Sequence, residues 1–210
     1  MLKATAQKGT GQKGSATRTR MIQAALATLK EEGFAGASAR VIAARGGFNQ
    51  ALVFYHFGSV KDLLLAALDT TSADRMARYE EVLAQSDAPQ DLLRAARELH
   101  AEDLASGHVT VLAEMIAGSI NDPDLSAAIT ERVEPWIDFT ERAIDRLLAG
   151  TPLAALLPTR ELAFGLVSFY VGADLLTAMD GDRSKTERLF EVADRLVPSL
   201  LASLPGSDAS

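Results

Sequence analysis

The sequence contains no cysteine, and it has only one tryptophan, three tyrosines and three histidines. Without cysteine, the chain cannot form disulfide bonds, thiolate metal sites or a cysteine nucleophile. No apolar run approaches the ~18 residues that would span a bilayer. The opening segment MLKATAQKGTGQKGSATRTR lacks the apolar core of a secretory signal. These absences favour a soluble globular protein, for which we expect a cytoplasmic location.

The composition that remains is typical of a helical protein. Of the 210 residues, 48% are hydrophobic, which is enough for one or two compact domains. Alanine and leucine dominate, the alternation typical of strands is absent, and glycine and proline fall at regular breaks. We therefore predict an all-α fold of about nine helices. The first is expected to run from Arg18 to Glu32, and Pro135 is expected to kink or break a later one.

Charge is distributed unevenly along the chain, whose net charge is −7. Residues 1–61 hold nine basic and two acidic residues, a net charge of +7, whereas the remainder carries −14. A basic end joined to an acidic body suggests that only that end meets a polyanion. Residues 1–17 have almost no large apolar side chain and are predicted to form a disordered basic arm.

The stretch ARVIAARGGFNQALVFYHF has the spacing of a helix-turn-helix motif. Ser38 would cap a short helix, and Ala43 is small where two helices would cross. Gly47 stands in the turn, where a positive φ costs glycine little. Val53 would point back towards Ile42 and the first helix. An ordinary helical hairpin within a bundle would satisfy the same spacing.

This part of the chain, about residues 18–65, resembles the tetracycline-repressor (TetR) family of transcriptional regulators. The resemblance lies in SARVIA at 38–43, GFN at 47–49 and FYHFGS at 54–59. It implies an N-terminal three-helix helix-turn-helix DNA-binding domain over 18–64, preceded by the arm at 1–17. It also implies a C-terminal helical effector-binding and dimerisation domain over 65–206. Members are homodimers that most commonly repress transcription until a small-molecule effector binds.

The expected DNA contacts divide into those with phosphates and those with bases. Tyr55 and His56 are the residues that the resemblance places against the phosphate backbone. Gln50 is the best reader of bases, because its amide can pair with both N6 and N7 of adenine. Few other polar side chains are present, so part of the specificity should come from DNA shape and water. The predicted DNA-binding residues are Ser38, Arg40, Asn49, Gln50, Ala51, Leu52, Phe54, Tyr55, His56 and Lys61.

Two positions depart from the pattern of the family. Members commonly carry lysine at the position of Val60, and Lys61 lies one residue later, rotated by ~100° around the helix. A phosphate contact by Lys61 is therefore in doubt. Asn49 replaces the more usual serine or threonine before the recognition helix, but asparagine caps a helix equally well.

The resemblance assigns the last two long helices, expected at about residues 159–179 and 184–204, to a four-helix dimer interface. The predicted interface residues are Leu162, Leu166, Phe169, Leu176, Leu189, Phe190, Leu196 and Leu200. The predicted effector-binding residues are Met115, Trp136, Phe139, Phe164, Tyr170 and Met179. All of these side chains could instead be plain core. The apolar lining favours a small hydrophobic effector, and no cofactor, metal or membrane partner is expected.

Two other classes of protein are alternatives to a regulator: an enzyme and an architectural DNA-binding protein. The three histidines are too dispersed for a metal site, and His100 with Glu98 and Asp103 is interpreted as a polar trio on a solvated helix. We therefore predict no enzymatic activity and no catalytic residues. The alternative is a non-specific architectural DNA-binding helical protein without an effector. Such a protein would bind DNA without preferring any sequence.

Overall fold

The computed structural model describes residues 6–86, 89–180, 182 and 184–203. This part of the chain forms nine α-helices and contains no strand, which confirms the predicted all-α fold. The helices are α1 (Ala6–Gly36), α2 (Ala39–Gly46), α3 (Ala51–Phe57), α4 (Val60–Gln85), α5 (Pro89–Ser106), α6 (His108–Ser119), α7 (Pro123–Leu148), α8 (Thr159–Asp180) and α9 (Ser184–Ser203). A 3-10 turn, Pro152–Ala155, stands between α7 and α8.

The chain divides into two compact units. The first contains the residues up to Ser72 together with Glu114–Ile129, and the second contains Ala73–Ala113 together with the chain from Thr130 onward. The division falls inside α4, α6 and α7, so it does not follow the helix boundaries. The sequence predicts a single boundary after residue 64. The first unit instead extends to Ser72 and includes the later segment Glu114–Ile129.

Helix α1 begins earlier than the sequence predicts. It starts at Ala6, within the segment expected to be disordered, rather than at Arg18. Extending an existing helix costs far less than nucleating one, so a stable helix after Arg18 can continue backwards to Ala6. The stop that was predicted at Gly33 is a kink inside α1, which runs on to Gly36. The helical path is interrupted at Gly33, whose φ of 70° lies in the left-handed region that favours glycine.

Gly33 is also held by a close approach within the first unit. The backbone N–H of Phe34 donates a hydrogen bond of 2.8 Å to the Glu114 carboxylate on α6. A Cβ at Gly33 would lie 2.7 Å from the same carboxylate oxygen. Glycine therefore permits both the kink in α1 and the hydrogen bond that fixes it.

The core of the first unit is apolar and tightly enclosed. Met21 and Leu29 of α1, Ile42 of α2 and Leu63 of α4 are fully buried. The start of α4 is fixed by Ser59, whose hydroxyl accepts a hydrogen bond of 3.0 Å from the backbone N–H of Asp62. These contacts hold α2 and α3 on the longer helices.

In the second unit, α7 is one helix of 26 residues that continues through Pro135. Of the kink or break expected at that residue, the break is not found. Proline costs this helix one backbone hydrogen bond, but the amphipathic face that α7 buries extends on both sides of it. Arg160 of α8 forms ion pairs with Glu134, Asp138 and Glu141, which follow one another at spacings of four and three residues along α7.

No single helix within the described ranges combines the length and apolar character that crossing a membrane would require. Only the bent pair α3 and α4, inclined at 64°, meets that requirement when the two are counted together.

Candidate DNA-binding surface and ligand cavity

The turn between α2 and α3 has the geometry that the sequence predicts. The Ser38 hydroxyl accepts a hydrogen bond of 3.3 Å from the backbone N–H of Val41 and thereby caps α2. Gly47 ends α2 with a φ of 64°, and its N–H donates to the carbonyl of Ala43. Ile42 and Val53 are fully buried. The two short helices are thus packed through their inner faces, which leaves the outer face of α3 open.

The outer face of α3 presents polar and aromatic side chains to solvent. Asn49 precedes the helix, and its side-chain oxygen accepts a hydrogen bond of 2.9 Å from the backbone N–H of Ala51. Gln50 and Ala51 are exposed, whereas Leu52 is half-buried. Phe54 is 54% exposed and Tyr55 is 81% exposed. Large aromatic side chains with this exposure add nothing to the core and are available to a partner.

The C-terminal end of α3 is tied to α1. The carbonyl of His56 accepts a hydrogen bond of 3.4 Å from the Arg18 guanidinium. The same guanidinium lies 4.2 Å from the centre of the Phe57 ring. The half-buried imidazole of His56 meets the Tyr55 ring edge-on, at 5.0 Å between centroids. These contacts fix the orientation of the exposed aromatic face.

The two predicted cations differ in their surroundings. Arg40 is exposed on the first turn of α2. Lys61 instead forms an ion pair with Asp122 of the first unit. The hydrogen bond from Lys61, followed by those from backbone N–H groups, lowers the pKa of Asp122 below its ordinary value. A contact of Lys61 with phosphate would therefore have to compete with this carboxylate.

Arg45 forms ion pairs within the first unit. Its guanidinium, at the end of α2, lies 2.7 Å from Glu31 and 3.0 Å from Glu32, both on α1. Hydrogen bonds to the two carboxylates raise the pKa of Arg45. The only acidic residues among the first 61 are therefore both paired with Arg45. Arg18, Arg20 and Arg40 are not part of this cluster.

The second unit contains a cavity of about 400 Å³ with mostly apolar walls. Three of the predicted effector-binding residues, Trp136, Phe139 and Tyr170, line it. The other three lie elsewhere. Met115 is fully buried in the first unit, because α6 crosses from one unit to the other, whereas Phe164 and Met179 are exposed on α8. Spacing along a helix does not tell which face meets a cavity.

At the polar part of the cavity, Tyr170 was predicted from the sequence, whereas Asp103, Arg75 and Tyr79 were not. Asp103 of α5 is only 3% exposed and accepts hydrogen bonds from the Arg75 guanidinium and from the hydroxyls of Tyr79 and Tyr170, at 2.6 and 2.7 Å. Arg75, Tyr79 and Tyr170 line the cavity. We refer to these four residues as the Asp103 cluster.

The interpretation of His100 and Asp103 as solvated residues is wrong. Both are buried, and the His100 imidazole packs against the rings of Tyr170 and Phe190 at 5.4 and 5.1 Å between centroids. Their spacing of three residues, which places them on one face of α5 beside the buried Leu99, is the signal that could have indicated burial.

The ionisation of the Asp103 cluster follows from its burial and its partners. Burial lowers the pKa of Arg75, but the hydrogen bonds and negative charge of Asp103 outweigh this effect, so the pKa is raised overall. Burial, followed by the charge of Asp103, raises the pKa of Tyr79 far above that of a free tyrosine. At neutral pH the guanidinium is therefore charged, and the Tyr79 hydroxyl keeps its proton.

Most of the predicted interface residues on α8 and α9 form an exposed apolar surface. Leu162, Leu166, Phe169, Leu176, Leu189 and Leu196 are all at least two-fifths exposed. Phe164 and Met179, which were predicted to bind an effector, are exposed on the same helix, α8. Phe190 is half-buried, and it lines the cavity together with Leu166, Phe169 and Leu189. The Leu200 side chain lies outside the described residues.

The fold and the exposed α3 define a helix-turn-helix protein whose second unit encloses a ligand-sized cavity. Residues 21–67 match the family model described as bacterial regulatory proteins, tetR family. The HTH-type transcriptional repressor Rv3405c of Mycobacterium tuberculosis is 39% identical over 85 residues, which cover 40% of this chain and 43% of that protein. The chain thus matches less than half the length of this relative.

Solved structures extend the likeness to the whole fold. A transcriptional regulator from Rhodococcus sp. RHA1 has a TM-score of 0.71 at 22% identity, over 92% of this chain and 99% of that one. The multidrug binding protein EbrR, solved with imidazole, has a TM-score of 0.59 at 23% identity, over 91% and 98% of the two chains. At these identities the likeness shows the fold. The match at 21–67 shows that this part of the chain is similar to the tetR family of bacterial regulatory proteins.

Proposed function

We propose that the chain is a sequence-specific DNA-binding transcriptional regulator, a repressor that leaves a palindromic operator when a small apolar effector binds. Residues 18–64 would bind DNA, residues 65–206 would bind the effector and dimerise, and residues 1–17 would add a basic arm. The observation that carries this proposal is the outer face of α3, where Gln50, Phe54 and Tyr55 are exposed on a helix whose inner face is buried.

The size and charge of this region suit duplex DNA. A helix fits the major groove, where Gln50 can read an adenine and the apolar side chains can meet thymine methyl groups. Residues 1–61 carry a net charge of +7 against −14 for the rest of the chain. Cations that neutralise phosphates release counterions, so this end of the chain should attract a polyanion while the remainder repels it.

A dimer follows from the exposed surface on α8 and α9. One short recognition helix covers too few base pairs for specific binding, whereas two-fold symmetry doubles the site and implies an inverted repeat. The apolar residues exposed on both helices, including Leu176 and Met179 at 64% and 76%, form a surface that a second copy would cover. The recognition helices would then lie about 34–36 Å apart or a near multiple of it.

The cavity supports the proposal that a small-molecule effector binds. Its volume of about 400 Å³ is within the range of small-molecule sites, ~300–1,000 Å³. Aromatic and aliphatic side chains make up most of its lining, with a few polar groups at the Asp103 cluster. The similar protein EbrR is described as a multidrug binding protein, and Rv3405c is described as a repressor.

Selection of the purified protein against a random pool of duplexes, at near-physiological salt, tests the proposal. An enriched inverted repeat is the expected result, and it supplies the operator for effector screens. No enrichment by a protein that is folded and dimeric, before and after denaturation and refolding to remove any bound ligand, would refute the proposal. The refolding step is needed because a co-purified effector would hold the protein off DNA.

The salt dependence of binding separates this function from non-specific architectural binding. If each subunit neutralises about three or four phosphates, log affinity should fall with log salt at a slope of roughly −5 to −7. A regulator should show this slope together with a preference for one palindrome. The same slope with equal affinity for unrelated duplexes would favour the architectural alternative, and a slope near −1 would contradict a dimer that grips duplex DNA.

A further inference from the structure

Asp103 is buried and accepts hydrogen bonds from three residues that line the cavity. The guanidinium of Arg75 donates two hydrogen bonds to the carboxylate, and the hydroxyls of Tyr79 and Tyr170 donate one each. A carboxylate has about four acceptor positions. Those of Asp103 are therefore filled by the protein itself, and a ligand that donates hydrogen bonds would have to displace one of these partners.

The charges of the Asp103 cluster compensate each other. Arg75 contributes one positive charge and Asp103 one negative charge, with the tyrosine hydroxyls neutral. The guanidinium also lies 5.0 Å from the centre of the Trp136 ring and 5.7 Å from that of Tyr79, so aromatic faces cover it. His100 and His108 are the remaining titratable groups on the described wall, and the rest of the lining is uncharged.

This balance determines which ligand charge the cavity can accept. A carboxylate would add a second negative charge to a site whose guanidinium is already neutralised by Asp103. An ammonium would meet a carboxylate whose acceptor positions are filled. Both would bury a charge without compensation, which is costly in apolar surroundings. A ligand without net charge avoids this cost.

The Arg75 guanidinium has N–H groups that do not bond to Asp103. A guanidinium carries five N–H groups, and the two bonds to Asp103 leave three. We propose that the cavity takes a predominantly apolar molecule with one uncharged oxygen, a hydroxyl or a carbonyl, that accepts a hydrogen bond from Arg75. This inference rests on the proposed function, in which the cavity is the effector site. It narrows the effector to neutral alcohols and ketones and excludes fatty acids and amines.

Trp136 provides a direct measurement of binding. It is the only tryptophan in the chain, it lines the cavity, and it stacks on Arg75. Its fluorescence can be titrated with five probes that share a ten-carbon chain: decan-1-ol, decan-2-one, decanoate, decylammonium and decane. The two ions are kept below their micellar concentrations and the three neutral probes below their solubility limits. We expect the alcohol and the ketone to bind at least tenfold more tightly than either ion and than decane.

Two results would overturn the inference. Decanoate or decylammonium binding as tightly as the alcohol would show that the cavity tolerates charge. Decane binding as tightly as the alcohol would show that Arg75 contributes nothing to recognition.

Charge variants test the role of the ion pair. Asp103→Asn removes the negative charge that neutralises Arg75, so decanoate should bind at least tenfold more tightly than to the native protein. Arg75→Gln leaves Asp103 without its cation and should instead favour decylammonium. Asp194→Asn is the matched control, because Asp194 pairs with Arg97 at 3.7 Å and neither residue lines the cavity. If either variant fails to fold, the five-probe titration of the native protein decides alone.

The experiment distinguishes failure of the ligand class from failure of the regulator. The fluorescence titration needs no DNA, whereas release of an operator duplex is measured separately. Decan-1-ol that binds without releasing the operator would retain the ligand class and refute the effector role. Release by decanoate and not by decan-1-ol would refute the ligand class and retain the regulator.

Discussion

Tyr55 is the residue at which DNA contact can be separated from folding. Its side chain is 81% exposed, so Tyr55→Ala should change the free energy of unfolding by no more than ~0.5 kcal/mol. A hydrogen bond to a charged group contributes ~1.5–3 kcal/mol. Because a dimer loses two such bonds, the substitution should cost ~3–6 kcal/mol of binding, roughly a 10²–10⁴-fold rise in Kd.

The proposed contact of Tyr55 with phosphate also predicts how the loss of affinity should depend on the DNA sequence. Phosphates carry no direct sequence information, so binding to the selected operator and to an unrelated duplex should weaken by the same factor. Tyr55→Phe is the matched variant, since it removes the hydroxyl and keeps the ring against His56. Anisotropy titrations of labelled duplexes, with urea unfolding as the folding control, provide the measurements. Unchanged affinity in both variants would refute the contact, and a loss restricted to the operator would assign Tyr55 to base reading instead.

Three further predictions address the base contact, the dimer and the buried cluster. Gln50→Ala should relax preference at one base position by ~1–3 kcal/mol, and unchanged preference in a repeated duplex selection would remove that assignment. Leu176→Glu should shift sedimentation towards monomer, whereas Leu156→Glu, at a residue 73% exposed outside α8 and α9, should not; equal effects would argue against this interface. Because the pKa of Tyr79 is raised in the folded protein, its stabilising contribution is complete below pH ~10 and is lost as the pH rises through the raised value. Tyr79→Phe should therefore flatten the fall of Tm between pH 9 and 12, and an unchanged profile would contradict the shift.

The helix-turn-helix could be predicted from the sequence because its signals are local. Ser38 caps α2 through a backbone N–H three residues later, and Gly47 supplies a left-handed turn four residues after Ala43. Such effects depend on neighbours within one or two turns. The outward position of Tyr55 follows from the same periodicity, since Val53 points inward.

Helix boundaries were less predictable where competing effects are nearly equal. Pro135 removes one hydrogen bond from α7, yet burial along the rest of the helix keeps it continuous. Local preference cannot be compared with packing energy until the packed partners are known.

The cavity required the tertiary structure. Arg75 and Tyr79 come from α4, Asp103 from α5 and Tyr170 from α8, and no spacing in the sequence relates them. An isolated aspartate or arginine is most often exposed, which is why Asp103 was expected to be solvated. Phe164 and Met179 were assigned to the cavity because they are aromatic or soft apolar side chains on the middle helices, although they are exposed on α8.

The sequence by itself determined the all-α class, the basic N-terminal region and the helix-turn-helix, because propensity, capping and charge act over a few residues. Only the tertiary structure decided which side chains enclose the cavity and which remain on the surface of α8 and α9. The physical reason is that burial depends on the direction from which distant helices approach. The charge balance of Arg75 and Asp103 exists only because 28 residues of chain fold back to bring them together.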